Sequence, residues 1–527
     1  MPAARPRRRR RRVLAAGVLL VWGAVLAVHV DREYGRSEAV RLGEAAVRLS
    51  PSAAYYTVSL ANRPVGFAAS LLDTLPDGFR LTDDFRLFIA ALGMSGEARL
   101  RTQMELSPRL ELRGFRFLLE SELGRFEAEG EPEGDSVLVI RVRTAGDDQQ
   151  MRVETDGPIV LPALLPLRLV LGGEPEIGRT YTFSIFDPSV LDSRPTEVQI
   201  LGRERLIVPD SAIYDSTRAR WVPASFDTVS TWRVSQTYGG VTVESWLDPD
   251  GHVVRATSPL GYAMERTAFE MAWNNLRAAA ASGELAAGAP DIIERTAVAS
   301  NVDLGSIARR RRLGVRIRNV ELEGFELSGD RQRLAGDTLW VAREDAADLE
   351  PGYTLPADRS RFARELAAEP LVQANDPEIR AQAERIARGS RDPVQVASRL
   401  NAWVYGALEK RVTFSLPSAR QVLDGRQGDC NEHTVLYVAL ARALGLPART
   451  ATGLVYVRGR FYYHAWPEVW LGQWVAVDPT FGQFPADAAH LRFVVGGLAD
   501  QVQLVRLIGR VELEVVDAVE GPGGVGR

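Results

Sequence analysis

Gly428-Asp429-Cys430-Asn431-Glu432-His433-Thr434-Val435-Leu436-Tyr437-Val438-Ala439-Leu440-Ala441-Arg442-Ala443-Leu444-Gly445-Leu446-Pro447 reads as one helix with both ends marked. Asp429 is placed to cap it and Glu432, three residues on, to complete a capping box, while Gly445 and Pro447 stop it. Cys430 then falls at the first helical position. Unsatisfied backbone N–H groups and the positive end of the helix dipole favour thiolate over thiol there, which makes a cysteine nucleophilic near neutral pH. Cys430 is the only cysteine in the chain, so no intramolecular disulfide can form; the competing reading is an inert, buried small hydrophobe.

A thiolate needs a proton partner, and the histidines are His29, His252, His433, His464 and His490. His464 lies in the aromatic, β-branched run 461–470, and Gly472-Gln473 turns the chain into Trp474-Val475-Ala476-Val477-Asp478. An odd loop, 471–473, pairs Trp466 with Asp478 and leaves His464 diagonal to it, so Asp478 can orient the imidazole. Nucleophile, base and orienter are the parts of thiol acyl transfer. The Cys430 backbone N–H supplies one oxyanion donor, with Gln421 or Trp403 as candidates for a second. Tyr463 and Trp466 are candidates for the cleft wall, or are core. His433, one turn after Cys430, is a rival base, and a zinc set of Cys430, His433 and His464 lacks a fourth ligand at sensible spacing. No metal and no cofactor are expected.

Four motifs stand in order: Gly428-Asp429-Cys430; 441–449, Ala-Arg-Ala-Leu-Gly-Leu-Pro-Ala-Arg; His464-Ala465-Trp466 with Glu468-Val469; and Val477-Asp478-Pro479-Thr480. In these the sequence resembles the transglutaminase-like superfamily in its bacterial form, specifically over about 421–480 and more loosely over about 370–516. The resemblance implies a papain-like α+β fold in which Cys430, His464 and Asp478 form an acyl-enzyme from an amide carbonyl. Pro467 departs mildly from the family pattern and bears on strand pairing rather than chemistry.

At 527 residues the chain is too long for one core, and 46% apolar and 25% charged residues with a net charge of −4 suit a folded globular body rather than a nucleic-acid binder. Arg5 and the arginines at 7–12 precede an apolar stretch at 13–28, read as a transmembrane helix over 13–30 with the remainder exported, or alternatively as a cleaved signal peptide. From 55 to 257 short alternating runs separated by turn residues indicate antiparallel strands, with hairpins at Pro76-Asp77-Gly78 and Pro249-Asp250-Gly251. This region is weakly similar to lipoprotein-carrier open barrels. The apolar stretch 161–171 is expected to be a packed strand, with a lipid-sized cavity lining as the alternative. The four arginines at 309–312 read as a solvated strand start. Helices are expected at 377–389 and 393–408, each entered through Asp-Pro.

The expected organisation is multidomain: a basic cytoplasmic tail at 1–12, the transmembrane helix at 13–30, an antiparallel β-rich domain at 55–277, a linker and small β subdomain at 278–360, a papain-like transglutaminase-like domain at 361–516, and a flexible tail at 517–527. The expected function is an exported thiol enzyme acting on a peptide or glutamine-type amide, by hydrolysis or by transfer to an amine. Its partners would be a protein or peptide substrate and the membrane, with no nucleic acid; the alternative is a catalytically silent, membrane-anchored scaffold acting through the β-rich domain.

Overall fold

The computed structural model describes residues 38–520 except 48, 92–93, 123, 135, 145–146, 156, 174, 239–240, 286–289, 306, 308–309, 414–415 and 417. Among the described residues no helix is long and apolar enough to cross a membrane; the expected span at 13–30 lies outside them.

The first half of the chain is one fourteen-stranded antiparallel sheet. Eight strands follow one another as a meander from Ser52–Leu60 to Asp147–Glu154, and six more from Thr180–Asp187 to Tyr262–Thr267. The two meanders join where the first strand pairs with the last, Tyr56 opposite Arg266 and Val58 opposite Met264. Both turn-marked hairpins form, Leu75 pairing with Gly78 and Leu247 with Val253. Alternation sends Tyr56, Val58 and Leu60 inward along the first strand. Leu81, Met104, Phe115, Phe126, Leu138 and Ile140 continue the inner face.

The apolar stretch 161–171 is not a strand. It is a 3₁₀ turn, Pro162–Leu164, running into an α-helix, Leu165–Leu171, with Leu161, Leu164, Leu165 and Leu167 buried against the inner face of the sheet. Pro162 and Pro166 explain the correction: neither has an N–H to give a ladder, and each sits in a first helical turn, where none is needed.

The second half has a helical layer on a small sheet. Helices Pro377–Ala387 and Pro393–Ala407 begin at Asp376 and Asp392, whose carboxylates accept from the N–H groups of the first turn. With Ala419–Gly425 they surround the helix Cys430–Ala443, in which Leu436 to Arg442 are buried without a break. That helix lies on an antiparallel sheet in the order Val298–Ala299, Arg460–Trp470, Ala448–Val457, His490–Val495, with Trp474–Ala476 also beside Arg460–Trp470. A further sheet runs Gln332–Ala335, Thr338–Ala342, Arg310–Arg318, Glu512–Glu520. Residues 517–520, expected in a flexible tail, are therefore strand: Asp517 pairs with Gly314 and Ala518 with Leu313. The arginine run enters the same sheet, Arg312 meeting Asp517 at 2.7 Å and Arg311 meeting Asp345 at 3.3 Å.

Candidate active site

The cysteine helix is built as its capping residues require. The Asp429 carboxylate accepts from the Asn431 N–H at 2.8 Å and Glu432 Oε2 from the Asp429 N–H at 2.9 Å. Gly428 is needed because the chain approaches its own helix there: a Cβ would stand 2.2 Å from that of Glu432. Cys430 occupies the first helical position and is half-buried. Burial pushes its thiol well up, the carboxylates of Asp429, Glu432 and Asp478 push the same way, and a hydrogen bond from the Ala465 N–H opposes them. Burial and these carboxylates act against the thiolate that the helix start alone would favour. A helix terminus stabilises an anion by about 0.3–1 kcal/mol, which is less than removing a charge from water costs, and the cap itself is anionic.

His464 stands on the strand Arg460–Trp470, next to the residue whose N–H reaches the Cys430 sulfur. The hairpin has the odd loop 471–473, with Trp470 opposite Trp474 and Glu468 opposite Ala476. The strand continues through the Val477 N–H to Pro467 O bond, so Pro467 accepts in the sheet without having to donate. Asp478, fully buried, then meets His464 Nε2 through Oδ2 at 2.8 Å. Its Oδ1 accepts from the N–H groups of Thr480 at 2.7 Å and Phe481 at 3.0 Å. With Nε2–H given to Asp478, Nδ1 is the nitrogen that can take a proton from a thiol.

A second histidine reaches the same carboxylate. His490 Nε2 lies 2.8 Å from Asp478 Oδ2 and its Nδ1 lies 2.9 Å from Asp487 Oδ1. Burial would lower the pKa of His490, but Asp487 and Asp478 together raise it to about 9, so it is an imidazolium donating through both nitrogens. Burial alone would raise Asp478; the two imidazoles hold it well below the carboxylate range instead. Asp487 is kept at about 2 in the same way, against burial, by His490 and by Gln483. The sequence reading missed His490. Its signal was the Asp487-x-x-His490 spacing three residues apart. It also missed Phe481, whose ring stacks on His464 at 5.0 Å and 23°.

The weaker candidates divide. Trp466 shares a face with His464 and is 1% exposed, its ring 6.0 Å from His464 and 5.2 Å from His490, so it supports the imidazoles from within rather than lining a cleft. Tyr463, one residue from His464, points to the opposite face and packs against Leu454, Phe461 and Leu491, away from the cysteine. Gln421 is not an oxyanion donor: its Oε1 closes a capping box on Ser418 and its Nε2 donates to the Arg125 carbonyl of the β-rich region. Trp403 packs on the helical core under Arg426, whose guanidinium carbon lies 4.7 Å above the ring. His433 donates Nδ1–H to its own helix start, the Asp429 carbonyl at 2.6 Å, and burial lowers its pKa. It is a neutral structural group, not the base. His464, Asp478 and His490 place ligand-type atoms within 4.8 Å of one another.

Residues 380–479 match the family model of the transglutaminase-like superfamily. No curated protein matches the chain. Among solved structures it is similar to a candidate cysteine protease from Cytophaga hutchinsonii, at 16% identity over 41% of this chain and 90% of that one, TM-score 0.28. It is also similar to the periplasmic domain of TgpA from Pseudomonas aeruginosa, at 17% identity over 36% and 92%, TM-score 0.24. A third similarity is to a β-barrel-like protein of a domain of unknown function from Brucella abortus, at 14% identity over 42% and 96%, TM-score 0.30. With the four motifs on the capped helix and its sheet, the stretch 380–479 is a domain of the transglutaminase-like superfamily.

Proposed function

We propose that this chain is an exported thiol enzyme that opens a peptide or glutamine-type amide through an acyl-enzyme on Cys430, and that water is the usual acceptor. The observation that carries the reading is the bond from His464 Nε2 to Asp478, which leaves Nδ1 as the base on the strand that touches the sulfur. Because the resting thiol is protonated, the proton passes to His464 Nδ1 as sulfur attacks the carbonyl carbon. The Cys430 N–H faces the developing oxyanion. Collapse of the tetrahedral intermediate breaks the C–N bond, and the imidazolium returns its proton to the leaving amine. Water then repeats the sequence on the thioester, or an amine does so and gives an isopeptide. Asp478 stays ionised throughout and holds the ring in one tautomer. A cavity of about 270 Å³ beside Asn431, walled by Phe126, Met151 and Leu191 from the β-rich region and by Val435 and Leu498, suits an apolar side chain of the substrate.

Export rests on the arginine-flanked apolar stretch at 13–30, which would leave the enzyme anchored in the cell membrane with its bulk periplasmic or extracellular. The decisive experiment offers a peptide library to the purified protein and reads cleavage and isopeptide products by mass spectrometry. Products must form with the native chain and vanish in Cys430→Ala at unchanged melting temperature. Absence of both products, with Cys430 inert to iodoacetamide until the protein is denatured, would favour a silent scaffold.

A further inference from the structure

The β-rich region encloses a second cavity, of about 370 Å³, between the inner face of the sheet and the helical insert that begins at Pro162. That is roughly a dozen waters' worth of space at about 30 Å³ each, within the range of small-molecule sites. Its walls are mainly apolar. Their ionisable groups are Asp83, Asp187, His252 and the Tyr56 phenol, and among the described residues no lysine or arginine lines it.

Asp83 is the anomaly in this wall. It sits on the strand Gly78–Ala91 between Ser70 and Thr102, its cross-strand partners, which also line the cavity. Ser70 hydrogen-bonds the carboxyl, yet Oδ1 is closed to bulk water and has no hydrogen-bond partner. Its neighbour Asp84 alternates to the other face and is paired with Arg99 at 3.1 Å. Arg266, which bears on the nearby Tyr56 phenol, is given to Asp248 at 2.8 Å. Burial, opposed only by Ser70, raises the Asp83 carboxyl to about 6. An unsatisfied buried carboxylate oxygen is costly to a folded protein, and the residue that carries it stands in the wall of a space large enough for a partner.

We propose that this cavity binds an apolar molecule carrying one cationic amine, the ammonium seated on Asp83 and the hydrocarbon body against Leu72, Leu81, Phe85, Leu100, Phe117 and Leu167. The carboxylate gains a charge-assisted hydrogen bond and the hydrocarbon leaves water. Ser70 and Thr102 flank the ammonium. No step at Cys430 is involved, so Cys430→Ala binds equally well.

The test is calorimetric titration of the full chain in lipid nanodiscs at pH 8, with empty nanodiscs as reference, using cyclohexylmethylamine, cyclohexylmethanol and cyclohexanecarboxylate. The amine is expected to bind once per chain and at least tenfold more tightly than either isostere. Asp83→Asn should lower amine affinity tenfold or more at an unchanged or higher melting temperature, while Asp84→Asn leaves it unaltered. Equal binding of the three probes, absence of saturable amine binding, or full amine affinity in a folded Asp83→Asn chain overturns the proposal. Should Asp83→Asn fail to fold, the order of the three probes on the unaltered chain decides.

Discussion

Raising the pH should unfasten the transglutaminase-like domain through His490. Its imidazolium is wholly buried between Asp478 and Asp487, with a folded pKa of about 9 against an unfolded value of about 6.5. The folded state binds this proton more tightly, so the associated stability is fully present below about pH 6.5, declines as pH rises, and is gone once pH passes about 9. At about 1.36 kcal/mol per pH unit that interval is worth roughly 3 kcal/mol. For a unit of 150–250 residues, this means a melting temperature lower by roughly 6–12 °C at pH 9 than at pH 6.5. Differential scanning calorimetry across that range, on the native chain and on His490→Gln, isolates the effect. The variant should be the less stable at pH 7, because two carboxylates lose their cation, but should show a nearly flat profile over the same interval. A native profile that is itself flat, or an equal slope in the variant, refutes the assignment of the imidazolium.

Asp478→Asn replaces an acceptor met by four N–H donors with an amide that must turn its own donors toward some of them; His464 is then driven to the tautomer protonated on Nδ1, and product formation by Cys430 should fall by about 10⁴-fold. A loss below tenfold in a folded variant would show that Asp478 does not orient the base. Asp429→Asn keeps a good helix cap but removes a charge that raises the Cys430 thiol, so iodoacetamide should modify the cysteine several-fold faster at pH 7 with little change in melting temperature. Arg492→Ala removes one of the two guanidiniums that hold Glu468, which is 1% exposed and met by Arg492 at 3.0 Å and Arg449 at 2.6 Å; Arg449 remains as its partner, and denaturant unfolding should record a loss of about 1–3 kcal/mol.

What was legible in the sequence was local. Asp429 and Glu432, Asp376 before Pro377 and Asp392 before Pro393 each act on backbone groups within a few residues, so their helices start where the residues say. The His464–Asp478 bond was also readable, because a three-residue loop fixes its register. His490 was not, since its strand joins the sheet through Ala448–Val457 rather than beside the hairpin. Tyr463 was misplaced although strand alternation already sent it away from His464. The helix after Pro162 was misread because unbroken apolarity hides its period, and the two prolines were the better guide. The thiol was read from the dipole alone, without the burial and the anionic cap that oppose it.

The small sheet that holds 517–520 bears on how this chain could have been assembled. Leu313, Val315 and Ile317 share one core with Leu454, Phe461 and Phe493 of the histidine-bearing sheet and with Leu513 and Val515 near the C-terminus. Val298 and Ala299 also add a strand beside Phe461. The recognisable stretch 380–479 is therefore not a portable cassette: a gene fusion that cut at 360 would leave the histidine strand with a bare edge and half a core. The unit that could be inherited, swapped or expressed with its histidines in register runs from before 298 through 520, more than twice the length of the matched motif region.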